Sequence, residues 1–258
     1  MKNKLVTAIA ATLAILFAAA GGYVFCTQSN IEAELYTIIP VYLVSLMLGA
    51  LVEDIIHEGA HFLVGAICQM GVKAPKIRLF KSSSIELCPK GVKCIKARFL
   101  ATVVAGLVFD VLLVVLGVIA FAVPSVPAIA GFAAPYALYS LIINGVPLEY
   151  GTGKTDALVA LEVIKNEPTA QVLLNILKIQ GHLRSGVFLK DIDEGLFLDV
   201  PQLPEDDLNF IILTQLRYEY YLAKNNDSEA YKYFMRYQQL IEYLPSGYKT
   251  GKDKNKLH

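Results

Sequence analysis

Several things are scarce in this chain, and each scarcity excludes something. There is no tryptophan, so one of the two usual membrane-interface anchors is missing and the 14 tyrosines must serve instead. Net charge is zero, with 23 basic and 23 acidic residues, which argues against nucleic acid as a partner. Four cysteines (Cys26, Cys68, Cys88, Cys94) make no convincing disulfide framework, and Cys88 and Cys94 have no further metal ligands nearby. Charged residues are 18% of the chain, and they are unevenly spread. The first 150 residues are mostly apolar stretches, whereas the last hundred read as an ordinary soluble helical protein.

What is present is a set of long apolar runs. Leu5–Val24 follows Lys2 and Lys4 and is too long for a signal-peptide core, so it reads as a retained spanning helix. Spans are predicted over about 5–25, 37–65, 99–123 and 128–147, with Pro40 in the first turn of the second and Pro135 a kink in the fourth. Between the second and third spans lies a strongly basic loop from Lys73 to Arg98 whose only acid is Glu86. Its segments 76–80 and 84–88 alternate like a strand-turn-strand. The other two loops carry no lysine or arginine. The positive-inside rule then sets both termini and the basic loop on the cytoplasmic side of an integral membrane protein, with the cell membrane the expected location. The expected fold class is all-α: a polytopic membrane core over 1–155 and a helical cytoplasmic region over 156–258. Helices are predicted at 156–166, 169–183, 208–224 and 228–244. The last pair is repeat-like, and a disordered tail covers 246–258.

The second span holds the informative string His57-Glu58-Gly59-Ala60-His61. Two imidazoles four residues apart share one helical face and can reach one metal ion, and the adjacent Glu58 is placed to act on a metal-bound water. Ionisable groups at membrane depth cost about 2.5–3.5 kcal/mol each on insertion scales, so something must offset them. Zinc, one ion, is the expected cofactor. A catalytic zinc takes a third protein ligand. The fourth span ends at Asn144-Gly145-Val146-Pro147, a helix break of the kind tolerated where it lines a cavity. Asp156 follows and is the expected third ligand, with Glu149 competing. Glu53 and Asp54 share much of the histidine face and read either as partners of the ring nitrogens or as facing a watery cavity. Asp110 reads as a buried hydrogen-bonding residue. Gly153-Lys154-Thr155 lacks the first glycine of a phosphate loop, since Leu148 stands there. His182 and His258 read as surface residues.

With these residues in view, the chain resembles the site-2 protease family of intramembrane metalloproteases. The resemblance rests on His57-Glu58-Gly59-Ala60-His61 in one span and on Asn144, Pro147 and Asp156 after a later one, and covers about residues 41–165. It implies His57, His61 and Asp156 as zinc ligands, Glu58 as catalytic base and Asn144 as a holder of the substrate strand. Ala157 stands where the family has glycine after the aspartate, and the interval from Pro147 to Asp156 is long for the family. Gly106 could match a glycine of the third core span, though no proline follows it closely. The expected activity is hydrolysis of a peptide bond in or near a membrane-spanning segment. The expected partners are a membrane-embedded protein or peptide substrate, the bilayer, and a protein bound by the C-terminal helices. The competing readings are a metal transporter or sensor using His57 and His61, an inactive membrane scaffold, and a protease of another family with Glu149 or Glu162 as ligand.

Overall fold

The computed structural model describes residues 2–28, 35–71, 87–150 and 153–243. Among them, helix dominates. Three helices are long and apolar enough to cross a bilayer: α1 (Lys2–Gln28), α2 (Leu35–Ile67, its candidate span beginning at Ile39) and α3 (Ile95–Ala122). A spanning segment must satisfy every backbone N–H and C=O internally, and an apolar helix does so within itself. The exposure pattern is inverted relative to a water-soluble protein. On α2, Val44, Met47, Leu48, Val52, Ile55 and Leu63 face outward, while Glu53, His57 and His61 are buried. On α3, Val108, Leu112 and Val115 face outward and Asp110 is wholly enclosed. This is the pattern of an integral membrane protein, in which lipid solvates the apolar face and polar groups turn inward. Pro40 falls at the sixth residue of α2, deeper than the predicted first turn.

The predicted fourth span at 128–147 does not form one continuous helix. A 3-10 turn over Ala128–Gly131 is followed by α4 (Ala134–Gly145), whose 12 residues cover only about 18 Å at about 1.5 Å each. Pro135 explains the split. It sits in the first turn of α4, where its missing N–H costs nothing, and so starts a helix where a kink was expected. The first residue of α4, Ala134, lies against Gly117 of α3 and its last, Gly145, near Leu107, so α4 runs back beside only part of α3. It packs against α1 and α2. Gly49 of α2 lies against the backbone carbonyl of Phe132, leaving no room there for a side chain. Rings of Phe25, Tyr42 and Phe132 close the same end, with centroids 5.4 and 5.7 Å from Phe132, and the Tyr42 hydroxyl donates to the Ala18 carbonyl. After α4, strands β1 (Glu149–Tyr150) and β2 (Gly153–Lys154) pair antiparallel and lead into α5 (Asp156–Lys165).

The chain folds as two compact units. Among the described residues the first holds those up to Cys68 and Arg98–Leu161, and the second holds Gln69–Gly71, Leu87–Ala97 and the residues from Glu162 onward. The second unit contains α6 (Pro168–Arg184), α7 (Gly195–Leu198), α8 (Leu208–Ala223) and α9 (Asp227–Leu240). Its core gathers Val172, Ile176 and Ile179 of α6 with Phe197, Leu213 and Tyr220, the last stacked on Phe197 at 4.3 Å between centroids. Asp207 caps α8 by accepting from the Asn209 backbone N–H at 2.8 Å. The α8–α9 hairpin closes over Ile211, Tyr237 and Leu240. The Arg184 guanidinium donates to the Cys88 carbonyl at 3.0 Å, tying the chain around Cys88 to α6. The predicted strand-turn-strand over 76–88 and the tail 246–258 lie wholly or almost wholly outside the described residues.

Candidate metal centre

His57 and His61 stand one turn apart on α2, and α3 fixes how each ring is turned. The His57 Nδ1 lies 2.9 Å from the Asp110 carboxylate, and the His61 Nδ1 lies 2.8 Å from the Thr102 carbonyl. A carbonyl can only accept, so the His61 proton sits on Nδ1; an ionised Asp110 fixes His57 in the same tautomer. Both Nε2 atoms are thereby left with free lone pairs, 3.2 Å apart, in a site where His57 is 7% and His61 6% exposed. Asp110 itself is wholly enclosed, and the His57 ring is the partner of its Oδ2.

Asp156 completes the group. Its Oδ2 is 3.5 Å from the His57 Nε2 and 3.4 Å from the His61 Nε2. What aims it there is Thr155, a buried residue whose hydroxyl joins three strands of local backbone. Thr155 Oγ1 donates to the Val146 carbonyl at 2.9 Å and accepts from the Leu148 N–H at 3.1 Å and the Leu158 N–H at 3.3 Å. The chain leaving α4 is thus stapled to the first turn of α5, with Asp156 at its first position.

His57, His61 and Asp156 fit a zinc ion. Three donor atoms separated by 3.2, 3.4 and 3.5 Å make a nearly equilateral triangle. Tetrahedral zinc with ligands at about 2.0–2.1 Å spaces them by about 3.3 Å, so no donor has to move far. The Asp156 Oδ2 is buried and accepts no hydrogen bond, as a ligand atom held for a cation would be. Three protein donors would leave one position of a tetrahedral zinc ion open.

The other expected residues fall around this triangle. Glu58, half-buried beside His57, belongs to neither cluster of potential metal ligands among the described residues. That leaves its carboxylate outside the ligand set. Glu149 is exposed and also outside both clusters; its backbone carbonyl accepts from the Asn3 side chain at 2.6 Å. Asn144 lies behind the site, its amide donating to Ser140 Oγ at 3.3 Å, with that oxygen 3.5 Å from the His57 Nδ1. Glu53 is buried and forms a second cluster with His57 and Asp110, whereas Asp54 takes no part in it. The residue that holds the His57 ring is Asp110, read from the sequence only as a buried hydrogen-bonding residue; the partners anticipated for the ring nitrogens were Glu53 and Asp54. Thr102 and Thr155 had no such forecast. Asp110, an acid in an otherwise apolar span, was the available signal; Thr102 acts through its main-chain carbonyl, which no side chain announces. In comparisons with known proteins, no family model, no curated protein and no solved structure matches this chain.

Proposed function

We propose that the protein is an intramembrane zinc metalloendopeptidase, similar to the site-2 proteases, which hydrolyses a peptide bond in or near a membrane-spanning segment of its substrate. The observation that carries this reading is the triangle of His57 Nε2, His61 Nε2 and Asp156 Oδ2, with Glu58 following His57 in the sequence and outside the ligand cluster. A permeation site for metal ions would need polar groups along a path, yet α3 presents apolar side chains beyond Asp110. A scaffold has no need of Glu58.

In this reading zinc, when bound, supplies Lewis acidity and a water that ionises near neutral pH. His57 and His61 present their Nε2 lone pairs, and Asp110 and the Thr102 carbonyl hold both tautomers through the reaction. Glu58 takes the proton of the attacking water at its carboxylate and passes it to the leaving amine nitrogen. The substrate segment must unwind locally, because a helical carbonyl is occupied by its own hydrogen bond; the family resemblance would give Asn144 the holding of the unwound strand, and its amide would then have to leave Ser140 Oγ. The membrane location proposed is the cell membrane, with both termini and the helical C-terminal unit on the cytoplasmic side. The charge bias of the loops supports this.

The test compares wild type with Glu58→Gln in membranes, measuring zinc content and cleavage of a model single-span substrate. Retained zinc with cleavage reduced by about 10²–10⁴-fold is expected. Equal cleavage by the two proteins would sink the protease reading.

A further inference from the structure

α3 carries three residues at four-residue intervals that face the histidines: Thr102, Gly106 and Asp110. The outer two hold the ring nitrogens, and in opposite order, so that the earlier histidine meets the later residue of α3. The middle one has no side chain. A Cβ built on Gly106 would lie 2.5 Å from the His61 Nε2, 2.6 Å from the His57 Cε1 and 2.7 Å from the His57 Nε2. The two Nε2 atoms among these are the ones that face Asp156. An ion bound to both nitrogens must lie about 2.0–2.1 Å from each, and a carbon that close would compete for the same space.

We infer that Gly106 is a positioning residue for the metal centre, and that Thr102-x-x-x-Gly106-x-x-x-Asp110 is the second half of the site, complementary to the histidine helix. Thr102 and Asp110 turn the rings so that both Nε2 atoms point the same way. Gly106 keeps the space in front of them clear. A methyl group at 106 has no compliant neighbour to displace. It meets two rings already fixed by buried hydrogen bonds, so it must break their orientation or exclude the ion. By contrast, a Cβ on Gly145 comes no closer to another residue than the Leu107 Cδ2 at 4.0 Å, so Gly145→Ala is the matched control.

The inference rests on the metal-site reading but not on proteolysis. The experiment uses full-length protein in detergent and measures zinc stoichiometry, zinc affinity by chelator competition, and the visible spectrum of the cobalt-substituted protein. Gly106→Ala is expected to weaken zinc by at least about 100-fold and abolish the four-coordinate cobalt band, with Gly145→Ala unchanged. Asp110→Ala should weaken zinc by about 10–100-fold, and Asp110→Asn, which can still accept from His57, should restore most of it. Unchanged affinity and spectrum in Gly106→Ala overturns the inference while leaving the metal site standing. Failure of wild type to bind zinc overturns the metal site itself. If Gly106→Ala does not fold, the Asp110 pair decides: equal, wild-type affinity in Asp110→Ala and Asp110→Asn overturns the template.

Discussion

At the scale of single residues, the centre is a problem of aiming lone pairs. An imidazole offers a metal only the nitrogen that does not carry the proton, and the proton's position is set by whatever the other nitrogen touches. Here the choice is made by a carboxylate and a backbone carbonyl on α3, neither of which touches the metal-facing side. The third donor is the residue for which the sequence left a competitor, and its distances separate the two candidates. Asp156 is within 3.5 Å of both Nε2 atoms, and Glu149 is exposed at the start of the β-hairpin. Asp156→Ala should therefore lower zinc affinity by at least about 100-fold, more than loss of an outer partner usually costs, and Glu149→Ala should leave it unchanged. Titration of the purified variants with a chelator-buffered zinc series reads both. The reverse ranking would hand the third position to Glu149.

Between elements, the decisive feature is the return path from α4 to α5. Val146, Leu148 and Leu158 converge on one hydroxyl, Thr155 Oγ1, so a single buried threonine sets where α5 begins and how Asp156 is presented. Thr155→Val keeps the shape but takes the hydroxyl away from the Leu148 N–H, the Leu158 N–H and the Val146 carbonyl. It should cost about 1–3 kcal/mol in unfolding stability and weaken zinc with it. Thr155→Ser, which retains the hydroxyl, should sit close to wild type in both measurements. The sequence pattern could not reveal this, because threonine after a short turn is common and its three partners are known only once the turn is built. The helices themselves were easy to read. Predicted 5–25, 37–65 and 99–123 correspond to α1, α2 and α3, and predicted 169–183 and 208–224 to α6 and α8, each within a few residues. The element that differed was the fourth span. Hydropathy is blind to the difference between a proline that kinks a helix and a proline that starts one, and Pro135 starts α4.

At the scale of the whole chain, the three long helices expose apolar side chains, and α2 and α3 bury ionisable ones, a pattern that a bilayer rewards. The orientation proposed above makes a direct prediction. Cys26 near the end of α1 and Cys94 just before α3 are both exposed and both free. With the amino terminus inside, the first lies outside and the second inside. Single-cysteine variants treated in intact cells with a membrane-impermeant maleimide should therefore label at Cys26 at once. Cys94 should label only after permeabilisation. The opposite pattern would invert the topology.

The sequence by itself determined the helical class, the apolar spans and the pair His57 and His61, because these depend on composition and on periodicity within one element. It determined that two imidazoles share a face, since four-residue spacing leaves no other outcome on a helix. Only the tertiary structure decided what surrounds them. Thr102, Gly106 and Asp110 lie some 40–50 positions further along the chain, and Asp156 about a hundred. Their roles come from antiparallel register between α2 and α3 and from the length of α4, neither of which any local pattern encodes. Gly106 is the sharpest case. One glycine in an apolar span says nothing until the helix opposite puts two imidazole Nε2 atoms where its side chain would have been.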